Sequence, residues 1–152
     1  MARIDVRRGA IPLLDSGGAL TQAVRSGAVS SVRAVRGATT VEADTVEQLS
    51  ERVPALVNEV MLCNGVENAD VISILFTTTP DIASMHPATA ARKGVDLSDV
   101  PLVGAQELDV LGSLPLCVRL IMYIETDLAR SEIKHVFLHA AVALRPDLAA
   151  GS

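Results

Sequence analysis

Four arginines of this sequence occur in apolar surroundings, where a charged side chain is unusual. They are Arg36, Arg92, Arg119 and Arg145, in the stretches AVRGA, AARKG, CVRLIM and VALRPD. One carboxylate, Glu107 in AQELDV, has a similar setting. Burying a charge costs free energy unless a partner neutralises it. If these residues meet, their positive excess predicts a site for a small molecule with two carboxylates, which arginine binds through paired hydrogen bonds.

A structural role for the same arginines remains open from the sequence. Each could pair with a separate Asp or Glu, or extend its charged head to solvent along an apolar stem. Arg36 illustrates the ambiguity, because the alternating run SVRAVRG predicts a strand in which an arginine is out of place. Spacing alone does not decide between one ligand site and several separate ion pairs.

Other side chains with chemical potential form weaker patterns. His135 and His139 are four residues apart and could share a face, but His86 is the only other histidine. With no third ligand marked, we expect no metal site. Cys117, in an apolar run with Arg119, is predicted to be a core residue rather than a nucleophile. The sequence has no Gly-x-Ser-x-Gly, P-loop or Gly-x-Gly-x-x-Gly motif.

The composition predicts one small domain with surplus apolar surface. The chain has 152 residues, is 49% hydrophobic and has a mean hydropathy of +0.38. Its few aromatic residues are Phe76, Tyr123 and Phe137, so the core must be aliphatic and the apolar excess predicts an oligomer. The net charge of −5 argues against nucleic acid or an anionic membrane as a partner. No apolar run has transmembrane length, and two cysteines without a CxxC spacing favour a reduced, cytoplasmic chain.

The patterning divides the chain at its thirtieth residue. Residues 1–30 are rich in glycine with little periodicity, and we predict a weakly ordered extension followed by one domain over residues 31–152. A long helix is predicted to begin with a capping box at 44–48, to be kinked by Pro54 and to end at Asn64-Gly65. We predict strands over 32–36, 70–77, 100–105, 116–125 and 135–144. Turns are predicted at Gly37 and at 78–81, and short helical segments at 87–93 and 130–134.

Five ordered segments together resemble one family. They are RAVRGATTVE, FTTTPDIASMHPATAAR, VPLVGAQELDV, CVRLIMYIETD and IKHVFLHAAVALRPDL, within residues 32–148. This set is similar to the AroH-type, monofunctional chorismate mutases. The resemblance implies an α+β fold with a mixed sheet of about five strands, in a homotrimer that forms a pseudo α/β-barrel. It also implies sites between subunits that convert chorismate to prephenate, on the route to phenylalanine and tyrosine, without a cofactor.

The resemblance implies roles for the charged residues. Arg36 matches the family arginine that holds a substrate carboxylate, Glu107 the glutamate that faces the substrate hydroxyl, and Arg119 the arginine at the ether oxygen. These three are the implied catalytic residues. Arg92 matches an arginine contributed by the neighbouring subunit, and Arg145 matches one that closes the pocket. The implied substrate-binding set is Arg92, Arg145, Leu144, Val103, Phe137, Thr89, Ala88 and His86.

The sequence departs from the family pattern around this charged centre. Thr89 replaces a lysine, Gly104 a cysteine, Phe137 a tyrosine and His86 an aromatic wall residue. Only seven residues follow Arg145, so a closing tail is short. The departures concern affinity more than the type of reaction.

Two other classes of function compete with an enzyme. The first is a non-catalytic relative that binds chorismate or prephenate, although intact Arg119 and Glu107 argue against it. The second is a structural trimer whose arginines form ion pairs between subunits.

The implied reaction is a rearrangement within one molecule. It needs no nucleophile, base or cofactor, but only a substrate held in the reactive conformer and stabilisation of the charge that develops.

Overall fold

The computed structural model describes residues 30–145, so the predicted extension lies outside the described residues except for Ser30. Helices and strands alternate irregularly along the chain, which agrees with the predicted α+β class. The elements are β1 (Ser31–Thr40), α1 (Val46–Cys63), β2 (Val71–Thr78), α2 (Pro87–Gly94), β3 (Leu102–Gln106), β4 (Cys117–Thr126) and β5 (Val136–Phe137), with 3₁₀ turns at Asn68–Asp70, Arg130–Glu132 and His139–Leu144.

The five strands form one mixed sheet in the order β3-β2-β4-β1-β5. The central strand β4 pairs antiparallel with both β1 and β2. The outer strands are parallel to their neighbours, β3 to β2 and β5 to β1. Distant segments therefore meet around β4, and residues of β4 can contact side chains from both halves of the chain.

Helices α1 and α2 cover one face of this sheet. The side chains of Leu49, Leu56 and Val60 from α1 are fully buried, and Ala90 and Ala91 of α2 belong to the same core. The helix-facing strand residues include Val35, Ile74, Phe76, Leu120 and Met122, which are also buried. This aliphatic core agrees with the expectation drawn from the few aromatic residues.

The opposite face of the sheet has no helix on it among the described residues. Because side chains alternate along a strand, the neighbours of the helix-facing residues point to this side. We call this surface the open face, defined by Arg36, Ala38, Thr77, Val103, Arg119 and Tyr123. It is partly apolar, since Val103 is 59% and Tyr123 is 40% exposed.

The first strand continues past the point where the sequence predicted a turn. β1 reaches Thr40 and stays paired with β4 along its whole length. Gly37 does not turn the chain; it gives α1 room, because a Cβ there would lie 3.0 Å from Val60 and 3.2 Å from Leu56. A glycine is therefore required at this position because α1 approaches the strand closely, and not because the chain turns there.

The last predicted strand was also wrong in length. Only Val136–Phe137 pairs with β1, and a 3₁₀ turn over His139–Leu144 replaces the rest of the predicted 135–144 strand. His139 has a φ of 54°, which breaks the extended conformation. The Ala140 N–H donates to the Thr40 hydroxyl at 3.2 Å, so the segment is held on β1 by a side chain instead of a strand ladder.

The predicted long helix is present, and its start is capped as the sequence indicated. The Thr45 hydroxyl accepts a hydrogen bond from the Gln48 N–H at 3.2 Å. The Gln48 side chain accepts in turn from the Glu42 and Ala43 N–H groups, at 2.6 and 3.2 Å. Pro54 stays within α1 as predicted. Within residues 30–145, none of the helices combines the length and the hydrophobicity that a membrane-spanning segment needs.

Candidate active site

Arg119 and Glu107 form an ion pair on the open face. Arg119 lies in the central strand β4, between Ala38 of β1 and Thr77 of β2. Glu107 follows β3, and its N–H donates to the Thr78 carbonyl at 2.8 Å, which extends the β2–β3 pairing by one residue. Arg119 Nη1 lies 2.6 Å from Glu107 Oε2, and the two side chains are only 27% and 16% exposed. The fold thus joins two of the predicted catalytic residues.

A threonine holds the other carboxylate oxygen of Glu107. The Thr77 hydroxyl donates to Oε1 at 2.5 Å, so Glu107 is held by hydrogen bonds on both oxygens. The sequence did not mark Thr77 as a site residue, because it lies at the end of a predicted strand. What places Thr77 in the site is strand register, because Thr77 pairs directly with Arg119. A local sequence pattern does not reveal this pairing.

The guanidinium of Arg119 keeps capacity for a further acceptor. Its Nε atom is buried and has no hydrogen-bond partner within residues 30–145. An unpaired buried donor is costly, so such an atom is suited to an anionic or ether oxygen of a ligand. The pair therefore offers a fixed carboxylate and an incompletely satisfied guanidinium side by side.

Arg36, the third predicted catalytic residue, lies on the same face one step away. Arg36 pairs with Ile121, two residues beyond Arg119, so Arg36 and Arg119 are diagonal neighbours on the open face. The main-chain N–H of Arg36 donates to His135 Nδ1 at 3.0 Å. Burial lowers the pKa of His135, and the positive charges of Arg145 and Arg36 lower it further. The structure thus brings Arg145 into the same cationic neighbourhood.

The C-terminal segment borders this neighbourhood. Phe137 pairs with Ala38, and Ala38 also pairs with Arg119 across the other edge of β1. Leu144 and Arg145 are half-buried at the end of the last 3₁₀ turn. The Thr39 hydroxyl and His139 Nδ1 lie 3.0 Å apart, which fixes that turn against β1. His135 and His139 therefore contact different β1 residues and share no face.

The remaining predicted residues lie apart from the ion pair. His86 is the N-cap of α2, and Ala88, Thr89 and Arg92 lie within that helix. The guanidinium of Arg92 donates to the carbonyls of Leu97 and Val100, at 2.6 and 3.0 Å, and more weakly to Ser98 at 3.5 Å. Within the described part of the chain, Arg92 makes no ion pair with Glu107. In one copy of the chain, α2 does not complete the site.

The β3 residues divide between the two faces. Val103 pairs with Leu75, which places its side chain on the open face. Gly104 faces the other side, where it lines a cleft of about 560 Å³ with Phe76, Met85 and His86. This cleft does not include the ion pair, which lies on the open face.

Cys117 is a core residue, as the sequence predicted. It is fully buried, and burial raises the pKa of its thiol. Its N–H donates to the Thr79 hydroxyl at 3.0 Å. A buried thiol with a raised pKa is a poor nucleophile, so no covalent chemistry is assigned to it.

Comparison with known proteins identifies the family to which this chain belongs. The family described as "Chorismate mutase type I" matches residues 32–148. The chain belongs to this chorismate mutase family. It is 39% identical over 117 residues to chorismate mutase AroH of Bacillus subtilis, covering 77% of this chain and 92% of that protein. It is 40% identical over 118 residues to chorismate mutase AroH of Thermus thermophilus, covering 77% and 96%.

A solved structure supports the same assignment. A chorismate mutase from Clostridium thermocellum superposes with a TM-score of 0.71 at 40% sequence identity, covering 73% of this chain and 98% of that chain. The resemblance read from the five segments and the predicted mixed-sheet fold class are therefore confirmed. The chain is a chorismate mutase by family, an isomerase of aromatic amino acid biosynthesis.

Proposed function

We propose that Arg119, Glu107 and Arg36 are the catalytic residues of this chorismate mutase and that they act on chorismate at the open face. The observation that carries the proposal is the Arg119–Glu107 ion pair of 2.6 Å, which Thr77 positions on the partly apolar open face. Arg36, one diagonal step away, supplies a second guanidinium for a substrate carboxylate.

The proposed mechanism needs only binding and electrostatics. In the rearrangement one C–O bond breaks and one C–C bond forms within the same molecule, so no proton, electron or group leaves. Holding the flexible side chain over the ring removes much of the entropic barrier. As the C–O bond lengthens first, negative charge grows at the ether oxygen beside Arg119, and positive charge grows on the ring near Glu107.

We further propose that the site is completed by a neighbouring copy in a homotrimer. Two features support this: the open face exposes Val103 and Tyr123, and α2 with Arg92 lies apart from the ion pair within one copy. Arg92 would then keep its contacts to the loop carbonyls while α2 borders the next subunit's site, together with His86, Ala88 and Thr89. The covered apolar area would also stabilise the assembly.

The localisation and the extension complete the proposal. We propose a cytoplasmic enzyme, because Cys63 and Cys117 are both free thiols. We also propose that residues 1–30 take no part in the chemistry, because the family match begins at residue 32.

One assay tests the proposed function. Purified protein is mixed with chorismate, the loss of chorismate absorbance is followed, and prephenate is identified in the product. Turnover that disappears in Arg119→Ala supports the proposal. Tight binding of prephenate without turnover in the unmodified protein would instead show the non-catalytic relative. Absence of both would favour the structural trimer.

A further inference from the structure

His135 contacts the main chain of a proposed substrate-binding residue. The Arg36 N–H donates to His135 Nδ1 at 3.0 Å. An imidazole nitrogen accepts a hydrogen bond only when it carries no proton. The ring must therefore be neutral, with its one proton on Nε2.

This hydrogen bond extends the pairing between β1 and β5. The parallel ladder joins Gly37 to Val136 and Ala38 to Phe137. His135 and Arg36 are the next residues outward, and there the imidazole ring takes the place of a main-chain acceptor. The position of Arg36 at this edge of β1 thus depends on the side chain of His135, which can gain or lose a proton.

The surroundings of His135 are cationic. Burial and the charges of Arg145 and Arg36 all lower its pKa. The ring also lines a cavity of about 390 Å³ with Arg33, Arg130 and Tyr123, and no carboxylate is among the described lining residues. Lys134 precedes it in the chain. Burial and the nearby positive charges disfavour a proton on His135, which keeps Nδ1 available as an acceptor at neutral pH.

We infer that His135 is a positioning residue, whose neutral imidazole fixes Arg36 for a substrate carboxylate and whose protonation releases Arg36. The inference rests on the proposed function of Arg36. Protonation places an N–H opposite the Arg36 N–H, so the strand end must shift. An arginine contact with a substrate carboxylate exists in both the ground state and the transition state. Weakening the Arg36 contact should therefore mainly raise KM.

Two substitutions at His135 separate positioning from mere packing. In Asn, the side-chain oxygen lies close to the position of Nδ1 and accepts a hydrogen bond at any pH. His135→Ala should raise KM for chorismate about three- to tenfold, with a smaller change in kcat, as expected for one lost hydrogen bond. His135→Asn should restore KM to within about twofold of the original. Equal KM values for His135→Ala and the unmodified protein would overturn the inference.

The pH profile provides a readout that a packing role would not change. For the unmodified enzyme, kcat/KM should fall as the pH drops through a value below about 6.5, the ordinary pKa of histidine. The carboxylates of chorismate, with pKa values of roughly 3–4, remain ionised above pH 5. In His135→Asn this acid limb should be absent, whereas a limb that does not depend on His135 would persist in both proteins. An identical profile in the two proteins would contradict the inference.

A spectroscopic measurement keeps the inference separate from the activity. Nitrogen-15 NMR of the imidazole, in the full-length protein without substrate, reports which ring nitrogen carries the proton. We expect the Nε2–H tautomer at pH 7.5 and a change in the Arg36 amide shift as His135 titrates. A proton on Nδ1 would overturn the inference even in an active enzyme. The expected tautomer in a protein without turnover would instead reject the proposed function alone.

Discussion

Arg119 on the central strand and Glu107 at the end of an outer strand lie 2.6 Å apart, although 12 positions separate them in the chain. Strand β2 lies between their strands, and its Thr77 contacts Glu107 from the side. The ion pair is therefore anchored on β4 and β2, with Glu107 held at the end of β3 by its N–H bond to the Thr78 carbonyl. Such support favours a fixed geometry, which electrostatic stabilisation of a transition state requires.

Removing the Arg119 guanidinium should lower the rate of the chemical step. Arg119→Ala should reduce kcat by roughly two to three powers of ten, because the ether oxygen loses a preorganised donor. Arg119→Lys should recover little, since a point charge on a flexible stem does not reproduce the planar fork. Arg36→Ala should mainly raise KM. The measurement is steady-state loss of chorismate absorbance, after circular dichroism confirms folding.

A matched control for Arg119 is available on α1. Arg52 is also a half-buried arginine, but its ion pairs are with Glu42 and Glu51, at 3.8 and 3.6 Å. Arg52→Ala removes the same charge away from the open face and should leave kcat unchanged. If Arg119→Ala keeps the original kcat while folded, Arg119 is structural and the proposed mechanism is wrong.

The hydroxyl of Thr77 should matter because it orients Glu107. Thr77→Val keeps the shape and removes the donor to Oε1. We expect kcat to fall about three- to tenfold, which corresponds to one hydrogen bond to a charged group, and Thr77→Ser to restore it. Thr78→Val removes the adjacent hydroxyl, whose side chain faces away from the ion pair, and serves as the control. Unchanged kinetics in Thr77→Val would show that Arg119 alone positions Glu107.

The apolar neighbours of the charged site residues predicted burial, which holds for Arg119 and Glu107, whereas the side chains of Arg36 and Arg92 are exposed in one copy of the chain. Arg36, Glu107 and Arg119 were all identified by their apolar neighbours, and the family motifs selected the same residues. The pairing itself depends on strand register, which local patterns do not specify when the paired strands are distant in sequence. Thr77 was missed for this reason, because a threonine at the end of a strand has no distinctive pattern.

The element types were easier to predict than the element ends. The α1 helix and the β2 and β4 strands follow their hydrophobic periodicity closely. The length predicted for the last strand was wrong because only two of its residues pair with β1. The contacts of His139 and Ala140 with β1 instead stabilise a 3₁₀ turn. The turn predicted at Gly37 was wrong because the sequence shows a glycine but does not show that α1 packs over it.

Asp44 should make stability depend on acid pH. It accepts hydrogen bonds from the Ser84 hydroxyl at 2.7 Å and from the Ala83 and Ser84 N–H groups at 3.0 and 3.1 Å. The Ser84 hydroxyl bond is the main cause of a lowered pKa. This stabilisation is therefore present above the ordinary pKa of about 3.9 and is lost as the pH falls through the lowered value.

The substitution Asp44→Asn tests that dependence. The difference in urea midpoint between the original protein and the variant should shrink as the pH falls from about 5 to about 2. Asp99→Asn, at an exposed position, controls for the general loss of one negative charge. A difference that stays constant with pH would show that Asp44 acts through shape rather than charge.

Removing the N-terminal extension should leave the enzyme intact. A chain beginning at Ser31 keeps all of β1, whose first residue pairs with Thr126. We expect the same oligomer by light scattering and a kcat/KM within about twofold of the original, because the family match begins at residue 32 and β1 at Ser31. A folded truncated chain with lost turnover would show that the extension reaches the site.

Mixing two inactive variants should show whether neighbouring chains share a site. Arg119→Ala and Arg92→Ala should each be poorly active, since each proposed site combines Arg119 of one copy with Arg92 of another. In oligomers formed from equal amounts of both variants, about a quarter of the sites should have both arginines. Because Arg92 also binds the Leu97 and Val100 carbonyls, Arg92→Lys provides a milder partner if the alanine variant is unstable. Chorismate turnover of the mixture, with native mass spectrometry of the hybrids, is the measurement.

A second mixture gives the control for this complementation. Arg119 and Glu107 are paired within one chain, so hybrids of Arg119→Ala with Glu107→Ala can never contain an intact pair. That mixture should stay inactive while the Arg92 mixture recovers. If hybrids form and neither mixture recovers activity, Arg92 serves only to hold its own loop. The proposal that α2 of one subunit completes the site of another would then be wrong.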